Sequence, residues 1–199
     1  MNLLDYLPGV PDFPKPGILF RDISLLLANP DAFKEATLQL ELLAKQFDYS
    51  HILGIESRGF IFGAALAHQA HKGLALARKP NKLPLASHRE SYGLEYGSDS
   101  LEIQQSTLPA GARVLILDDV LATGGTIIAA SQLLKKAGFE VAGALTFLEI
   151  AGLNGGDLLT QKGIANKTGN LKGTSNILVT RLYGFWYYCN DCVFYLRGH

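Results

Sequence analysis

Val114-Leu115-Ile116-Leu117-Asp118-Asp119-Val120-Leu121-Ala122-Thr123-Gly124-Gly125-Thr126 is the stretch on which the fold turns. Val114 to Leu117 carry no turn former and no charge, so they read as a strand buried on both faces, the kind found in parallel sheets. Just beyond, Ile127, Ala130, Leu133, Leu134 and Ala137 recur at the spacing of one helix face. A buried strand that reaches a helix through a short turn of small residues is the first half of a βαβ unit.

The turn has a chemistry of its own. At a helix N-terminus the unpaired N–H groups and the positive end of the dipole favour an anion by about 0.3–1 kcal/mol when exposed, and by more when partly buried. Gly124 and Gly125 let a phosphate approach the backbone without a Cβ in the way. The hydroxyls of Thr123 and Thr126 add donors, and Ala122 keeps the turn small. Asp118 and Asp119 would repel a bare phosphate. The conflict disappears for a ligand that carries sugar hydroxyls beside its phosphates, with Mg²⁺ between the oxygens. No lysine follows the glycines as in a Walker A loop, and the G-x-G-x-x-G spacing of a dinucleotide site is absent. Either half of the stretch alone would fit an ordinary strand–turn–helix with a capping Asp pair; the two halves together point to a phosphorylated sugar.

The same alternation extends along the chain. Asn29-Pro30-Asp31 supplies a cap, a first-turn proline and an early acid, and Phe33, Ala36, Leu40, Leu43 and Phe47 follow at helical spacing. His51 to Ile55 predicts a buried strand, Phe60 to Ala67 the helix behind it, Gly73 to Ala77 the next strand and Val141 to Leu148 another. Repeated βαβ units imply an α/β fold with a central, mostly parallel sheet flanked by helices. Ligands of such sheets sit beyond the strands' carboxyl ends. Glu56-Ser57-Arg58-Gly59, Arg78-Lys79 and Asp118-Asp119 all fall there, so one cleft gathers them.

Pro8, Pro11, Pro14 and Pro16 make the first 24 residues read as an extended cover rather than a helix. Residues 80–100 hold Pro80, Pro84, Gly93 and Gly97 among polar side chains and read as a long loop or flexible hairpin. Segments of this kind are commonly functional lids. The 199 residues, 48% hydrophobic, suffice for one core and suggest one domain. The 18 basic residues balance the 18 acidic ones, so no nucleic-acid surface is indicated. No run reaches the roughly 18 apolar residues of a membrane span and no leader is visible, which makes the cytoplasm the expected location. Cys189 and Cys192 lack the second ligand pair of a zinc site, and the five histidines follow no metal or triad spacing.

The Asp118-Asp119 to Thr126 segment resembles the phosphoribosyl diphosphate (PRPP) signature of the type I phosphoribosyltransferases. Three further stretches are similar to the adenine phosphoribosyltransferase family: Pro11 to Ser24 with its Phe20-Arg21-Asp22-Ile23-Ser24, Glu56-Ser57-Arg58-Gly59-Phe60-Ile61-Phe62-Gly63, and Ser91-Tyr92-Gly93-Leu94-Glu95-Tyr96-Gly97. The resemblance covers about residues 3–164. It implies one domain with a hood segment at 1–24 and a catalytic lid at 80–100. It further implies displacement of pyrophosphate from PRPP by adenine to give AMP, Mg²⁺ held mainly through PRPP with no direct protein ligand, and a homodimer. By the same resemblance Asp118 and Asp119 hold the ribose, Ala122, Thr123, Gly124, Gly125 and Thr126 the 5′-phosphate, and Arg58, Lys79 and Lys82 face the pyrophosphate. Phe20 stacks on adenine while the backbones of Leu19 and Arg21 read its edge, Glu95 is the general acid/base, and Tyr92 and Tyr96 close over the ligands. Lys79 and Lys82 also read as solvated surface charges, Phe20 as core and Glu95 as an exposed loop acid. Other purine bases, or PRPP sensing without turnover, remain open alternatives.

The family usually closes with a short hood strand. Here residues 165–199 depart from it: Ala165 to Asn176 reads as a solvent loop, and Ile177-Leu178-Val179 with Tyr183, Phe185, Trp186, Tyr187, Tyr188, Phe194 and Tyr195 reads as β-prone.

Overall fold

The computed structural model describes residues 1–13, 19–85, 87–93, 98–150, 152–169, 188–189 and 193–194. A 3₁₀ turn at Leu3–Tyr6 leads into β1 (Gly9–Pro11) and β2 (Leu19–Arg21), then α1 (Ser24–Ala28), α2 (Pro30–Ala44), β3 (His51–Ile55), α3 (Arg58–Gln69) and β4 (Gly73–Ala77). The chain continues through β5 (Ser87–Gly93), β6 (Ser98–Gln104), β7 (Arg113–Leu121), α4 (Gly125–Lys136), β8 (Glu140–Glu149), α5 (Gly155–Gln161) and β9 (Asn166–Thr168). Two short strands, β10 (Tyr188–Cys189) and β11 (Val193–Phe194), pair antiparallel further on.

The central sheet has the order β4-β3-β7-β8-β9 and every pairing in it is parallel. Consecutive residues of its strands point to opposite faces, so both faces must be apolar. Ile52, Leu115 and Leu117 pack with Leu40 of α2 and Phe62 and Leu66 of α3, whereas Leu53, Val114 and Ile116 pack with Ile127, Leu133 and Leu134 of α4. Phe62 stacks on Phe147 of β8 at 5.0 Å and meets Phe33 edge-on at 6.1 Å, which ties α2 and α3 to the sheet. The entry to α2 follows the expected chemistry: the Asn29 side chain accepts from the Ala32 N–H at 2.9 Å, and Pro30 opens the first turn.

The structure corrects the sequence reading in several places. The strand read over Val114 to Leu117 runs on through Leu121, so Asp118 and Asp119 lie inside β7 rather than at its end. The extension has partners on one side: β8 pairs with β7 as far as Leu121, while β3 pairs only to Leu117. Cover from one neighbour keeps the strand going and leaves its other edge open at Asp118. Of the two readings of the 80–100 segment, a long loop or a flexible hairpin, the described residues form the hairpin. Strands β5 and β6 form a hairpin whose Leu101 and Ile103 are buried in the α4 core, because alternate residues of β6 are apolar. The proline-rich first 24 residues do contain a helical turn, at Leu3–Tyr6, which Asn2 caps by accepting from Leu4 N–H. Finally, the residues read as a solvent loop from Ala165 include β9, which adds to β8 through Ala144↔Asn166 to Thr146↔Thr168. The Thr146 and Thr168 hydroxyls meet at 2.9 Å across that edge. Three residues are too few to show periodicity, and only the register against β8 makes them a strand.

Candidate active site

Asp118 and Asp119 stand on β7 where β3 has already ended. Both are buried, 5% and 1% exposed, and Asp118 accepts the backbone N–H of Asp119 at 2.9 Å. Burial pushes both carboxyls above the ordinary carboxylate range. Asp118 is pushed well above it because the Asp119 charge adds to burial; the Arg58 guanidinium pulls Asp119 partly back. Such a pair is costly in an empty protein and suited to a ligand that brings hydroxyl donors.

Arg58 is the first residue of α3, and glycine spacing seats that helix on the sheet. A Cβ on Gly59 would lie 2.9 Å from the Leu117 carbonyl and 3.1 Å from Asp118 Oδ1. With glycine there, α3 starts against the carboxylates. Arg58 Nε lies 2.8 Å from Asp119 Oδ2, yet both atoms are buried and neither makes an aligned hydrogen bond. The pair is held by charge, and Asp119 Oδ2 keeps its directional capacity for another donor. Arg58 also donates through Nη1 to the Arg21 carbonyl at 3.3 Å, and its guanidinium lies 5.0 Å from the centre of the Phe20 ring. Through this side chain the hood strand β2, the helix α3 and the strand β7 converge on one point. Phe13 meets Phe20 edge-on at 5.2 Å, and Arg21 ties β2 back to the 3₁₀ turn by donating to the Leu7 carbonyl at 3.1 Å.

On the other side of β7 the chain turns into α4 through Ala122 to Gly124. Gly124 has φ +86°, a left-handed conformation that glycine adopts without strain, and no side chain caps the helix. The N–H groups of the first turn of α4 are thus open to an anion rather than spent on a cap. The turn is propped from behind by α5, whose Gly155 fits so closely that an added Cβ would lie 2.1 Å from the Ala122 carbonyl. Thr123, Gly125 and Thr126 are half-buried at this turn.

Strands β3 and β4 end together, with Ile55 beside Ala77, and this sets Glu56 next to Arg78. Glu56 accepts from Arg78 Nε at 3.0 Å and from the Lys79 backbone N–H at 2.6 Å. Burial would raise the Glu56 carboxyl, but the hydrogen bonds from Arg78 and Lys79 outweigh it, helped by the charges of Arg78 and Lys82, and hold it below its usual range. Lys79 is half-buried and Lys82 exposed at this corner. The sequence placed Glu56 and Arg78 in the cleft without a role; the matched ends of the strand patterns at 51–55 and 73–77 are the signal that sets them side by side. Glu95 and Tyr96 lie outside the described residues, between the ends of β5 and β6; Tyr92 belongs to β5, and Leu19 supplies backbone to β2.

Comparison with known proteins adds the lineage. The phosphoribosyl transferase domain family matches residues 26–156. An adenine phosphoribosyltransferase of Polynucleobacter asymbioticus is 77% identical over 168 residues, covering 84% of this chain and 98% of that protein. Among solved structures, an adenine phosphoribosyltransferase from Thermoanaerobacter pseudethanolicus superposes with a TM-score of 0.79 at 37% identity, over 83% of this chain and 95% of that one. The Saccharomyces cerevisiae enzyme, crystallised with adenine and D-2,5-dideoxy-2,5-imino-altritol 1,6-bisphosphate, gives 0.74 at 35% identity, over 85% and 96%. With the parallel sheet, the paired carboxylates and the open helix start at its carboxyl edge, these similarities place the chain in the adenine phosphoribosyltransferase family of type I phosphoribosyltransferases.

Proposed function

We propose that this chain makes AMP in purine salvage from adenine and PRPP, releasing pyrophosphate. The N9 atom of adenine forms a bond to the ribose anomeric carbon as the bond from that carbon to pyrophosphate breaks, and the electron pair leaves with pyrophosphate. The adenine proton passes to a base. The observation that carries the reading is the convergence, at one edge of the sheet, of two buried carboxylates, an uncapped helix start, and an arginine in contact with the aromatic ring of the hood.

In this reading Asp118 and Asp119 accept hydrogen bonds from the ribose hydroxyls; the unspent Asp119 Oδ2 fits such a donor. The turn from Ala122 to Thr126 receives the 5′-phosphate, and Arg58, Lys79 and Lys82 face the leaving pyrophosphate. Glu56 stiffens that corner by fixing Arg78 and the Lys79 backbone. Phe20 stacks on adenine, with the backbones of Leu19 and Arg21 at its edge. Glu95, which lies in sequence between β5 and β6, shares the purine proton, an effect typically worth about 10²–10⁴ in rate. Tyr92 and Tyr96 belong to the same lid and keep water from the ribosyl cation. Mg²⁺, held mainly through PRPP with no direct protein ligand, would offset the charge of the phosphates. We further propose a homodimer working in the cytoplasm; among the described residues no helix is long and apolar enough to cross a membrane.

The test is a purified-protein assay with PRPP and Mg²⁺ in which AMP formation from adenine is compared with turnover of hypoxanthine, guanine and xanthine. Formation of AMP in clear preference to the other nucleotides is the expected result. Turnover of another base in its place reassigns the specificity, and PRPP binding without turnover of any base makes the chain a sensor.

A further inference from the structure

The turn from Ala122 to Gly124 takes its shape from the element behind it. A Cβ on Gly155 of α5 would lie 2.1 Å from the Ala122 carbonyl oxygen, and one on Gly124 would lie 3.3 Å both from the Gly155 carbonyl oxygen and from Leu159 Cδ2. Backbone presses on backbone here, so a shift of α5 passes to the turn with no flexible side chain to absorb it. Yet α5 is a weak element. It has seven residues, fewer than the roughly 12–15 below which isolated helices are marginal in water, and its N-cap residue Asn154 has φ +54° and gives no side-chain cap. The first N–H groups of such a helix need acceptors from elsewhere in the chain. Glu149, the last residue of β8, supplies one: its Oε1 accepts the Gly156 N–H at 3.0 Å. Its charge also faces the positive end of α5. Asn166 of β9 holds the other side of the same residue by donating to the Gly156 carbonyl at 3.2 Å. A Cβ on Gly156 would lie 3.1 Å from Glu149 Oε1 and 3.3 Å from Asn166 Oδ1, so the two side chains close tightly on it.

We propose that Glu149 is a positioning residue for the 5′-phosphate: it fixes the start of α5, and α5 holds the N–H groups of the Ala122–Gly124 turn and the first turn of α4 where a phosphate meets them. The inference rests on the assignment of the 5′-phosphate to this turn made above. The frame that carries the effect is closed. Glu149 pairs with Leu121 across β7 and β8, and the Ile150 N–H donates to the Leu121 carbonyl at 2.9 Å. The residue just before the turn and the residue that caps α5 are thus fixed to each other. From Leu121 the path runs through the turn to Gly155, from Gly156 to Glu149, and back across the strand pair. A carboxylate beside a phosphate would repel it, so Glu149 serves the anion only through the backbone it holds. Its effect should therefore be selective. The 5′-phosphate depends on this turn, whereas the pyrophosphate is assigned to Arg58, Lys79 and Lys82 on the β3 side of β7.

The test measures binding of ribose 5-phosphate, and of pyrophosphate with Mg²⁺, to the full chain by calorimetry, with steady-state kcat and KM beside it. For Glu149→Ala we expect ribose 5-phosphate to bind about ten-fold more weakly and the PRPP KM to rise to match, as loss of a hydrogen bond to a charged group allows. Pyrophosphate affinity, the adenine KM and kcat should stay within about two-fold. Glu149→Gln keeps an acceptor oxygen at the same reach and should bind ribose 5-phosphate within about three-fold of the parent. Glu149→Asp keeps the charge but falls short by one methylene, so it should behave as the alanine variant does; compared with Glu149→Gln it decides the matter should the alanine variant not fold. Unchanged ribose 5-phosphate affinity in the alanine or aspartate variant overturns the proposal. So does an equal loss for ribose 5-phosphate and pyrophosphate, which would make Glu149 a support of the fold at large, and so does a glutamine variant as weak as the alanine one. AMP formation by the parent alongside any of these results leaves the enzyme reading standing while the positioning role falls. A parent that binds pyrophosphate but neither binds ribose 5-phosphate nor forms AMP removes the phosphate assignment and the proposal together.

Discussion

Asp118 and Asp119 are neighbours in sequence with unequal costs. A carboxyl whose folded pKa lies above its unfolded value stabilises the fold fully below the unfolded pKa, about 3.9 for Asp, and loses that contribution as pH rises through the folded pKa. Asp118, pushed up by burial and by Asp119, therefore weighs on the fold at neutral pH. Asparagine in its place still accepts the Asp119 N–H, so Asp118→Asn should raise stability by about 0.5–2 kcal/mol at pH 7, with a smaller gain near pH 4. Calorimetric melts at the two pH values check this, and PRPP titration should show weaker binding by the same variant. Asp119→Asn should lower stability, because it leaves the nearly buried Arg58 without its counter-charge. At Glu95 we expect Glu95→Ala to lower kcat by about 10²-fold or more with little change in the PRPP KM; steady-state rates decide it, and an unchanged kcat removes Glu95 from the chemistry. The carboxylates were legible in the sequence because they interrupt an apolar strand. The Arg58 contact with Phe20 was not, since it depends on how the hood folds back over a helix start 38 positions away.

At the scale of elements, the βαβ alternation was legible because each central strand is buried on both faces and must be a continuous apolar run, as at His51 to Ile55 and Val114 to Leu117. The β5–β6 hairpin was harder to read. Its polar positions, such as Arg89 and Glu90, gain their partners only in the fold, where Lys136 at the end of α4 donates to the Arg89 carbonyl at 2.9 Å and meets Glu90 at 3.4 Å. The hairpin is thus anchored to the helix whose other end begins at the Ala122–Gly124 turn. Helix α3 offers a cleaner test of how elements set the site. Alanine is favoured over glycine by about 1 kcal/mol in an ordinary helix interior. At Gly59 the added methyl would sit 2.9 Å from the Leu117 carbonyl oxygen, which is backbone and cannot swing aside. Crowding of this kind costs about 1–3 kcal/mol and should win. Gly59→Ala is expected to lower the melting temperature and, by moving Arg58 and Asp118 apart, to weaken PRPP binding; unchanged melting and binding would mean that α3 is not held where this contact sets it.

For the whole molecule, the question is what residues beyond β9 contribute. Among the described residues both faces of the five-stranded sheet are covered by α2, α3, α4 and the β5–β6 hairpin, and its last strand ends at Thr168. The site groups that were described, from Phe20 to Thr126, also precede that point. The similarity to the Polynucleobacter asymbioticus protein spans 168 residues, 84% of this chain and 98% of that one. The later segment does have one route to the site, because β11 approaches β2, the strand that carries Phe20 and Arg21. A chain ending at Gly169 should therefore fold cooperatively and keep kcat within about two-fold of the full chain, with any change appearing in the adenine KM rather than the PRPP KM, as expected when binding contacts alone are altered. Thermal melts and steady-state kinetics on the two lengths test the division. A truncated chain that fails to fold would place part of the core beyond residue 169, and a selective rise in the PRPP KM would mean that the added segment reaches the carboxylate side of the cleft rather than the hood.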